Sequence, residues 1–389
     1  MCNSQVANIR ATFELRKFVG NYFFEVRQPN RNRLKPFELN VIYVTKLFLI
    51  QNAKHELYLL TSSSTFNPYS MKKIVLCIIL ATVILLGCEP KTDPKPDMNI
   101  SLAQWSLHKS FFGDALNGDW AAFGRLLLQN PDSLLQGKLN PDDFPKIAAG
   151  YGVNTIELVN TFYFSKAKDM AYWEGFKKKC DEAGVKVGLI MCDALGDLGN
   201  ADPAERQKAV ENHYDWVKIA KYLGAPTIRV NAAGTGTAEE VAKNAADGLK
   251  KLGEYGAKEG INVVVENHGG YSSDGLWLAS VMKTVNLENV GTLPDFGNFC
   301  IERGPDGCLK EYDRYKGIAE LMPYAKGVSA KTHVFDKDGN EAEMDYARIL
   351  KIVKDAGFKG NIGIEFEGTE ISEDEGIKAT KALIEKLLK

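Results

Sequence analysis

The sequence predicts an α/β protein whose main part is a single (β/α)8 domain, the TIM barrel fold. Short apolar segments alternate strictly with helical patterns from Met98 to Lys389. This alternation forces parallel strands that are joined by right-handed crossovers. We count eight such units, and their combined length suits a closed barrel, which typically takes about 250 residues plus insertions. An open, doubly wound sheet is the alternative, but no GxGxxG motif follows the first strand.

The predicted strands are rich in β-branched and other apolar residues, which is typical of strands buried on both faces. In chain order they are Ile100–Trp105, Thr155–Val159, Val185–Met191, Thr227–Asn231, Ile261–Glu266, Val290–Asp295, Gly327–Val334 and Ile362–Phe366. Helix signals occupy the intervals between them. Asp202 and Thr237 are typical N-caps, and Gly184, Gly224 and Gly260 are typical residues at helix ends.

Some features lie outside this alternation. Phe111–Leu139 is longer than a normal first loop, so we expect it to contain an extra helix that covers the barrel mouth. The apolar stripe of Ile377–Leu388 predicts a helix packed on the barrel. His213 falls within a helical pattern, and we expect it at the surface. Cys300 and Cys308 flank a polar loop, and their spacing alone does not decide whether they pair.

The first part of the chain contains a segment that resembles a bacterial lipoprotein signal. Met71 and two lysines precede a short apolar run, which ends in a lipobox-like Leu-Leu-Gly-Cys at Cys88. We expect residues 71–88 to be the signal peptide, Cys88 to be lipidated, and residues 89–97 to be a proline-rich tether. Because a signal peptide works only at an N-terminus, we expect translation to start at Met71 and residues 1–70 to be an upstream extension.

These features predict a protein held by its lipid in the bacterial cell envelope, on the periplasmic side or the outer surface. A membrane anchor that is never cleaved is the alternative.

The composition of the chain excludes other classes of protein. A formal net charge of -2 argues against a nucleic-acid binder. The seven cysteines include no CxxC pair, so neither a zinc ribbon nor a disulfide scaffold is indicated.

Polar residues gather at the predicted strand ends, where TIM barrels carry their functional side chains. The clearest case is Ile261–Gly270, where a β-branched run ends in Glu266 and His268, which share one face of the strand. The other strand ends add Glu157, Asn160, Arg229, Asn231, Asp295, Lys331, His333, Glu365 and Glu367. Carboxylates that converge inside a barrel repel one another, and a bound cation removes this conflict.

Four motifs at successive strands, VVENHGG, PDFGN, AKTHVFD and IGIEFEG, resemble the xylose isomerase-like barrel family. This family includes sugar phosphate isomerases and epimerases and the D-tagatose 3-epimerase type. The resemblance runs from about Ile100 to the C-terminus and implies one divalent metal ion. Its metal ligands fall on Glu266, Asp295, His333 and Glu365. Where some ketose epimerases have a histidine three residues after the metal aspartate, this chain has Asn298.

The resemblance assigns catalysis to Glu266 and Glu365, although Glu367 shares a face with Glu365 and is the alternative ligand. Three carboxylates and one imidazole suit Mn²⁺, Zn²⁺, Co²⁺ or Mg²⁺. The implied reaction is isomerisation or epimerisation of a keto sugar or sugar derivative: the cation polarises the carbonyl, and the carboxylates move a proton by way of an enediolate. We expect substrate contacts from Trp105, His108, Glu157, Arg229, Asn231, His268 and Lys331.

Several of these roles have structural alternatives. Glu157, Arg229 and Asn231 could form a salt-bridge layer inside the barrel, and Trp105 and His108 could simply pack. The function also has alternatives: a lyase or hydrolase of 3-keto-glycosides that uses the same metal site, or a noncatalytic carbohydrate-binding lipoprotein. An abasic-site nuclease would need a histidine-rich site, which five histidines and the lack of a basic excess disfavour. The oligomeric state is left open.

Overall fold

The computed structural model describes residues 98–389 apart from Gly118. The predictions for residues 1–70, for the signal peptide 71–88 with its lipidated Cys88, and for the tether 89–97 therefore lie outside the described residues. Within the described part, none of the helices combines the length and apolar character that crossing a membrane requires.

Ten strands occur in the described part of the chain. They are β1 Asn99–Ala103, β2 Thr155–Val159, β3 Lys186–Met191, β4 Thr227–Val230, β5 Asn262–Glu266, β6 Val290–Leu293, β7 Cys300–Gly304, β8 Gly307–Glu311, β9 Val328–Thr332 and β10 Asn361–Phe366. Eight of them form one parallel sheet in the order β6-β5-β4-β3-β2-β1-β10-β9. These eight correspond to the eight predicted strands, so the predicted fold class is confirmed.

The two ends of this sheet meet, which closes the barrel. Isolated parallel bridges join Thr292 to Ala325 and Asp295 to Ser329, between the β6 and β9 regions. The Phe296 amide donates to the Ser329 carbonyl at 3.0 Å, and the Ser329 amide donates back to the Pro294 carbonyl at 2.9 Å. The alternative of an open, doubly wound sheet is therefore wrong.

Eleven α-helices surround the barrel in the residues that the structure describes. They are α1 His108–Phe112, α2 Trp120–Gln129, α3 Phe144–Gly150, α4 Met170–Ala183, α5 Pro203–Asn212, α6 Tyr214–Leu223, α7 Ala238–Glu259, α8 Gly275–Val285, α9 Arg314–Leu321, α10 Tyr346–Asp355 and α11 Glu373–Leu388. The predicted caps are present: Asp202 begins α5, and Thr237 forms a capping box with Glu240 at α7. Gly224 and Gly260 end helices in the left-handed conformation.

The expected insertion after the first strand contains α2. The Phe112 ring packs on Phe123 of α2 and on Phe162, with ring centroids 5.0 and 4.6 Å away. Because β2 ends at Val159, Phe162 lies beyond the carboxyl end of that strand. The inserted helix thus packs at the end of the barrel where the functional residues are expected. The C-terminal helix α11 packs on the barrel through residues that include Ile377 and Leu383, as predicted.

The polar segment between Cys300 and Cys308, which we predicted to be a loop, is instead the antiparallel hairpin β7–β8. A disulfide bond joins the two cysteines, whose Cα atoms lie 5.7 Å apart. The pairing that sequence spacing left open is therefore present in the structure.

His213 is buried rather than at the surface, with 2% of its area exposed. The prediction was wrong because the helical pattern is broken there: α5 ends at Asn212 and α6 begins at Tyr214, and the junction turns the imidazole inward. The ring Nδ1 lies 2.7 Å from the Ala209 carbonyl oxygen. Burial lowers the pKa of His213 to about 4, from an ordinary value of 6.5.

This buried imidazole predicts a loss of stability in mild acid. The unfolded chain takes up a proton near pH 6.5 and the folded form only near pH 4, so the free energy of unfolding falls as the pH drops across that window. One pKa unit corresponds to about 1.4 kcal/mol, so the expected contribution is at most about 3 kcal/mol. Urea unfolding of the wild type and of His213→Gln at several pH values isolates this contribution. The difference between the unfolding free energies of the two proteins should shrink as the pH falls from 6.5 to 4. A constant difference would contradict the assignment.

Candidate functional site

Three carboxylates converge at the carboxyl end of the barrel, and we call Glu266, Asp295 and Glu365 the acidic trio. One carboxylate oxygen of each lies within 4.8 Å of the others, and all three side chains are buried. Glu266 is the last residue of β5, Asp295 follows β6, and Glu365 lies near the end of β10. Strand order in the barrel thus brings together three of the four predicted metal ligands, and two of these, Glu266 and Glu365, are the predicted catalytic pair.

Asp295 is fixed by hydrogen bonds to both of its carboxylate oxygens. Its Oδ1 accepts from the amides of Gly297 and Asn298, each at 2.8 Å, and its Oδ2 accepts from the Ser329 hydroxyl at 2.6 Å. The same hydroxyl lies 3.2 Å from Glu365 Oε2 and so links two members of the trio. We did not single out Ser329 from the sequence, although it lies two residues before Lys331 and therefore faces the same side of the strand.

Glu266 is oriented by Arg229 and Asn298. Its Oε2 lies 2.7 Å from Arg229 Nε as a buried ion pair. The contact lacks hydrogen-bond geometry, so both atoms are without a hydrogen-bond partner within the described residues. The side-chain amide of Asn298 donates to Glu266 Oε1 at 3.2 Å. Asn298, where some ketose epimerases have a histidine, therefore contacts a predicted metal ligand.

Arg229 also binds Asp193, a residue that we did not predict. The Arg229 guanidinium and the Asn231 amide both donate to Asp193 Oδ1, at 2.6 and 2.7 Å. Burial acts to raise the pKa of Asp193, but the charges of Arg229 and His268 and the hydrogen bonds from Asn231 and Arg229 together hold that pKa below its usual range. Asp193 lies two residues beyond β3, so a complete reading of the strand ends would have found it. These contacts link Asn231 to the acidic trio through Arg229.

Lys331 places its ammonium group among the carboxylates. Its Nζ lies 2.9 Å from Glu365, 3.1 Å from Glu367 and 3.8 Å from Asp295, and the side chain is buried. Glu365 and Glu367, which we predicted to share one face of the strand, therefore both contact Lys331. Glu365 lies in the trio, whereas the side chain of Glu367 is 29% exposed.

Negative charge exceeds positive charge in this cluster. Arg229 and Lys331 supply the two cationic groups, and they are shared by six carboxylates: Glu157, Asp193, Glu266, Asp295, Glu365 and Glu367. Burial, against the opposing charge of Arg229, raises the pKa of Glu266 to about 7, and burial also raises the pKa of Asp295. The site thus has a deficit of positive charge that a proton or a metal ion would relieve.

The structure does not bring His333 into the acidic trio. Its Nδ1 lies 3.5 Å from Glu343 Oε2, and the residues that form a potential ligand group with it are Glu341 and Glu343. The physical reason is that Lys331, two residues earlier on the same face, reaches the carboxylates in its place. His333 also lies just beyond Thr332, where β9 ends. Three of the four residues predicted as ligands therefore lie together, and metal binding by them stays a prediction.

Glu157 lies inside the barrel rather than at its mouth. Its Oε1 accepts from the Ser101 hydroxyl at 2.6 Å, and its Oε2 has no hydrogen-bond partner within the described residues. A Cβ at Gly363 would come within 2.6 Å of Glu157 Oε2, so the glycine leaves room for this carboxylate. Burial raises the pKa of Glu157 to about 7. These contacts favour the structural alternative for Glu157 over substrate binding.

Trp105 and His108 stack on each other beyond the first strand. Their rings lie 4.8 Å apart and are nearly parallel, and His108 Nδ1 lies 2.7 Å from the Trp105 carbonyl oxygen. Trp105 also contacts the rings of Phe112 and Phe162. Packing thus holds the pair in place, and its predicted contact with a sugar stays a prediction.

A cavity of about 850 Å³ adjoins the site. It lies beyond the carboxyl ends of β3, β4 and β5, and the hairpin β7–β8 forms part of its wall. Asn231 and His268, two of the predicted substrate contacts, line it together with the buried His213. The acidic trio does not line this cavity, which therefore lies beside the trio.

Comparison with protein families gives a match over most of the barrel. The model of the family described as xylose isomerase-like TIM barrel matches residues 145–387. A comparison with curated proteins gives no match.

Solved structures share the fold at low sequence identity. A D-psicose 3-epimerase determined in the presence of D-fructose has a TM-score of 0.52 and 14% identity, covering 64% of this chain and 93% of its own. The IOLI protein with a bound zinc atom has a TM-score of 0.54 and 14% identity, covering 75% of this chain and 98% of its own. The 3-keto-D-glucoside 4-epimerase from E. coli has a TM-score of 0.50 and 13% identity, covering 63% and 94%.

Proposed function

Because the chain belongs to the xylose isomerase-like TIM barrel family, we propose that it is a divalent-metal-dependent isomerase or epimerase of a sugar or sugar derivative. The observation that carries this proposal is the acidic trio. Glu266, Asp295 and Glu365 converge at the end of the barrel where such enzymes work, with more negative charge than Arg229 and Lys331 balance.

The residues present fit a divalent cation. Each member of the trio offers one carboxylate oxygen, and these oxygens lie within 4.8 Å of one another. An all-oxygen set favours Mg²⁺ or Mn²⁺, whereas Zn²⁺ or Co²⁺ would be better held if His333 joined it. One structural relative has a bound zinc atom, but that observation concerns the relative and does not identify the ion for this chain. When bound, the ion would act as a Lewis acid that polarises a carbonyl group.

The side chains of this chain then have distinct roles. Glu266 and Glu365 come from different strands, β5 and β10, so one would remove the proton beside the carbonyl group and the other would return it. Arg229 orients Glu266, and Asn298 donates to its second oxygen. The Lys331 ammonium, 2.9 Å from Glu365, would donate to the oxygen on which negative charge develops.

We also propose that the enzyme works in the bacterial cell envelope as a lipoprotein anchored at Cys88. Support comes from the lipobox-like sequence and from the Cys300–Cys308 disulfide, because disulfides persist in oxidising compartments. An enzyme in this location would meet free, oxidised or glycosidic sugars more than sugar phosphates.

The same proton abstraction would serve a lyase of 3-keto-glycosides. Product analysis separates the lyase from the isomerase or epimerase, because a lyase releases an aglycone.

The proposal predicts exchange of a substrate hydrogen with solvent that depends on metal. Keto sugars incubated with the full chain in D₂O should acquire deuterium at the carbon beside the carbonyl group, which NMR detects. Treatment with a chelator should abolish the exchange, and Mg²⁺ or Mn²⁺ should restore it. Glu174→Gln, at an exposed helix position away from the trio, is the matched control and should exchange normally. Exchange that persists after complete metal removal would refute the metal dependence.

A further inference from the structure

The cavity beside the acidic trio has no role in the reaction described above. Its volume of about 850 Å³ lies within the range of sites that hold drug-sized ligands, about 300–1,000 Å³. Asn231 and His268 line the cavity at the side where the reacting sugar would lie, and Arg229 links Asn231 to Glu266. A molecule that extends from the trio would therefore enter this cavity.

Two acceptor atoms of the cavity residues lack partners. His213 Nδ1 is 2.7 Å from the Ala209 carbonyl oxygen, so Nδ1 carries the proton and Nε2 is a free acceptor. Within the described residues, no hydrogen bond is formed by His213 Nε2 or by Asn231 Oδ1. Both residues line the cavity. Acceptors that lack partners call for a ligand rich in hydroxyl groups.

An aromatic face and open backbone complete the lining. The Tyr271 ring is held by its hydroxyl, which donates to the Gly236 carbonyl at 3.0 Å, and by stacking on Trp277. Gly269 and Gly270 have positive φ values of 89° and 59°, and a Cβ at either would meet nothing within 4 Å. The backbone beside the aromatic ring is thus open to a ligand. A flat apolar face beside hydrogen-bonding groups suits a sugar ring.

The hairpin β7–β8 supplies the outer wall. Glu302, Arg303 and Lys310 of the hairpin line the cavity. The Cys300–Cys308 disulfide joins the two strands of this hairpin. The charged side chains of the hairpin and the neutral acceptors of His213 and Asn231 would both bind a polar ligand that enters the cavity from solvent.

We infer that this cavity is a subsite for a second sugar ring, so that the substrate is a glycoside or disaccharide rather than a free monosaccharide. The inference rests on the proposed function in one respect: the reacting sugar is taken to lie at the acidic trio. Hydroxyl groups of the second ring would donate to His213 Nε2 and Asn231 Oδ1, and its face would lie against Tyr271.

The test is calorimetric binding of glucose, trehalose, maltose and cellobiose to the full chain with Mg²⁺. At least one disaccharide should bind about tenfold or more tightly than glucose, because the second ring adds hydrogen bonds and buried area. Ala233→Trp places a large ring on the exposed cavity lining and should abolish this preference while glucose affinity is unchanged. His213→Phe removes the acceptor and should reduce the preference about five- to tenfold.

Ala356→Trp, an exposed position at the end of α10 and outside the cavity lining, is the control and should keep the preference. Equal affinities for glucose and all three disaccharides, or a preference that survives Ala233→Trp, would overturn the subsite. Deuterium exchange reports separately on the proposed function. If deuterium exchange occurs without a preference for a disaccharide, the isomerase or epimerase proposal stands and the subsite is refuted. If a disaccharide is preferred but no exchange occurs, the subsite stands and the isomerase or epimerase proposal is refuted.

Discussion

Glu365→Gln is expected to lower kcat by about 10³-fold, the largest effect we predict for a single side chain. A positioned carboxylate that transfers a proton contributes about 10²- to 10⁴-fold, and the amide cannot take that proton up. The substitution preserves shape, and the Ser329 hydroxyl, which donates to Asp295 and lies 3.2 Å from Glu365 Oε2, can accept from the new amide NH₂ group. The measurement is the rate of deuterium exchange into a keto sugar at saturating substrate and metal.

Glu367→Gln is the matched control, because Glu367 binds the same lysine at 3.1 Å and leaves the trio intact. We expect its rate to fall less than tenfold. If instead Glu367→Gln abolished exchange and Glu365→Gln did not, the catalytic carboxylate would be Glu367, which the shared strand face allows. A noncatalytic carbohydrate binder would retain its sugar affinity in both variants and show no exchange in the wild type.

The sequence was informative wherever strand periodicity determines direction. Alternation along a strand places Glu266, Lys331 and Glu365 inside the barrel without knowledge of any contact. Parallel strands then bring their carboxyl ends to one rim, so the trio follows from strand order alone. For the same reason, the motif-based resemblance identified the family that the comparisons support.

Side-chain reach and irregular backbone were not predictable in the same way. Periodicity places both Lys331 and His333 on one face, but it does not say which of the two reaches the carboxylates. The inward turn of His213 depends on a break between two helices that continue one apolar pattern. Asp193 lies in the loop two residues beyond β3, so its place at a strand end follows from the sequence, whereas its contact with Arg229 does not.

Lys331→Met is expected to destabilise the metal-free protein by about 3–5 kcal/mol. Removal of one partner from a buried charge cluster leaves the other charges uncompensated, and losses of about that size follow. Here the ammonium lies within 4 Å of three carboxylates. Urea unfolding with a chelator, at pH about 8, measures the loss under conditions where Glu266, whose pKa is raised to about 7, stays mostly ionised.

A divalent cation should recover most of this loss, because it supplies positive charge to the same carboxylates. Binding to the folded state stabilises it in proportion to the logarithm of metal concentration over Kd, and the variant lacks the ammonium that repels the ion. Mg²⁺ or Mn²⁺ should therefore raise the unfolding free energy of Lys331→Met more than that of the wild type. Lys178→Met, whose side chain is 77% exposed, should change stability by less than about 1 kcal/mol. An equal gain from metal in Lys331→Met and wild type would show that the ammonium and the ion do not share a site.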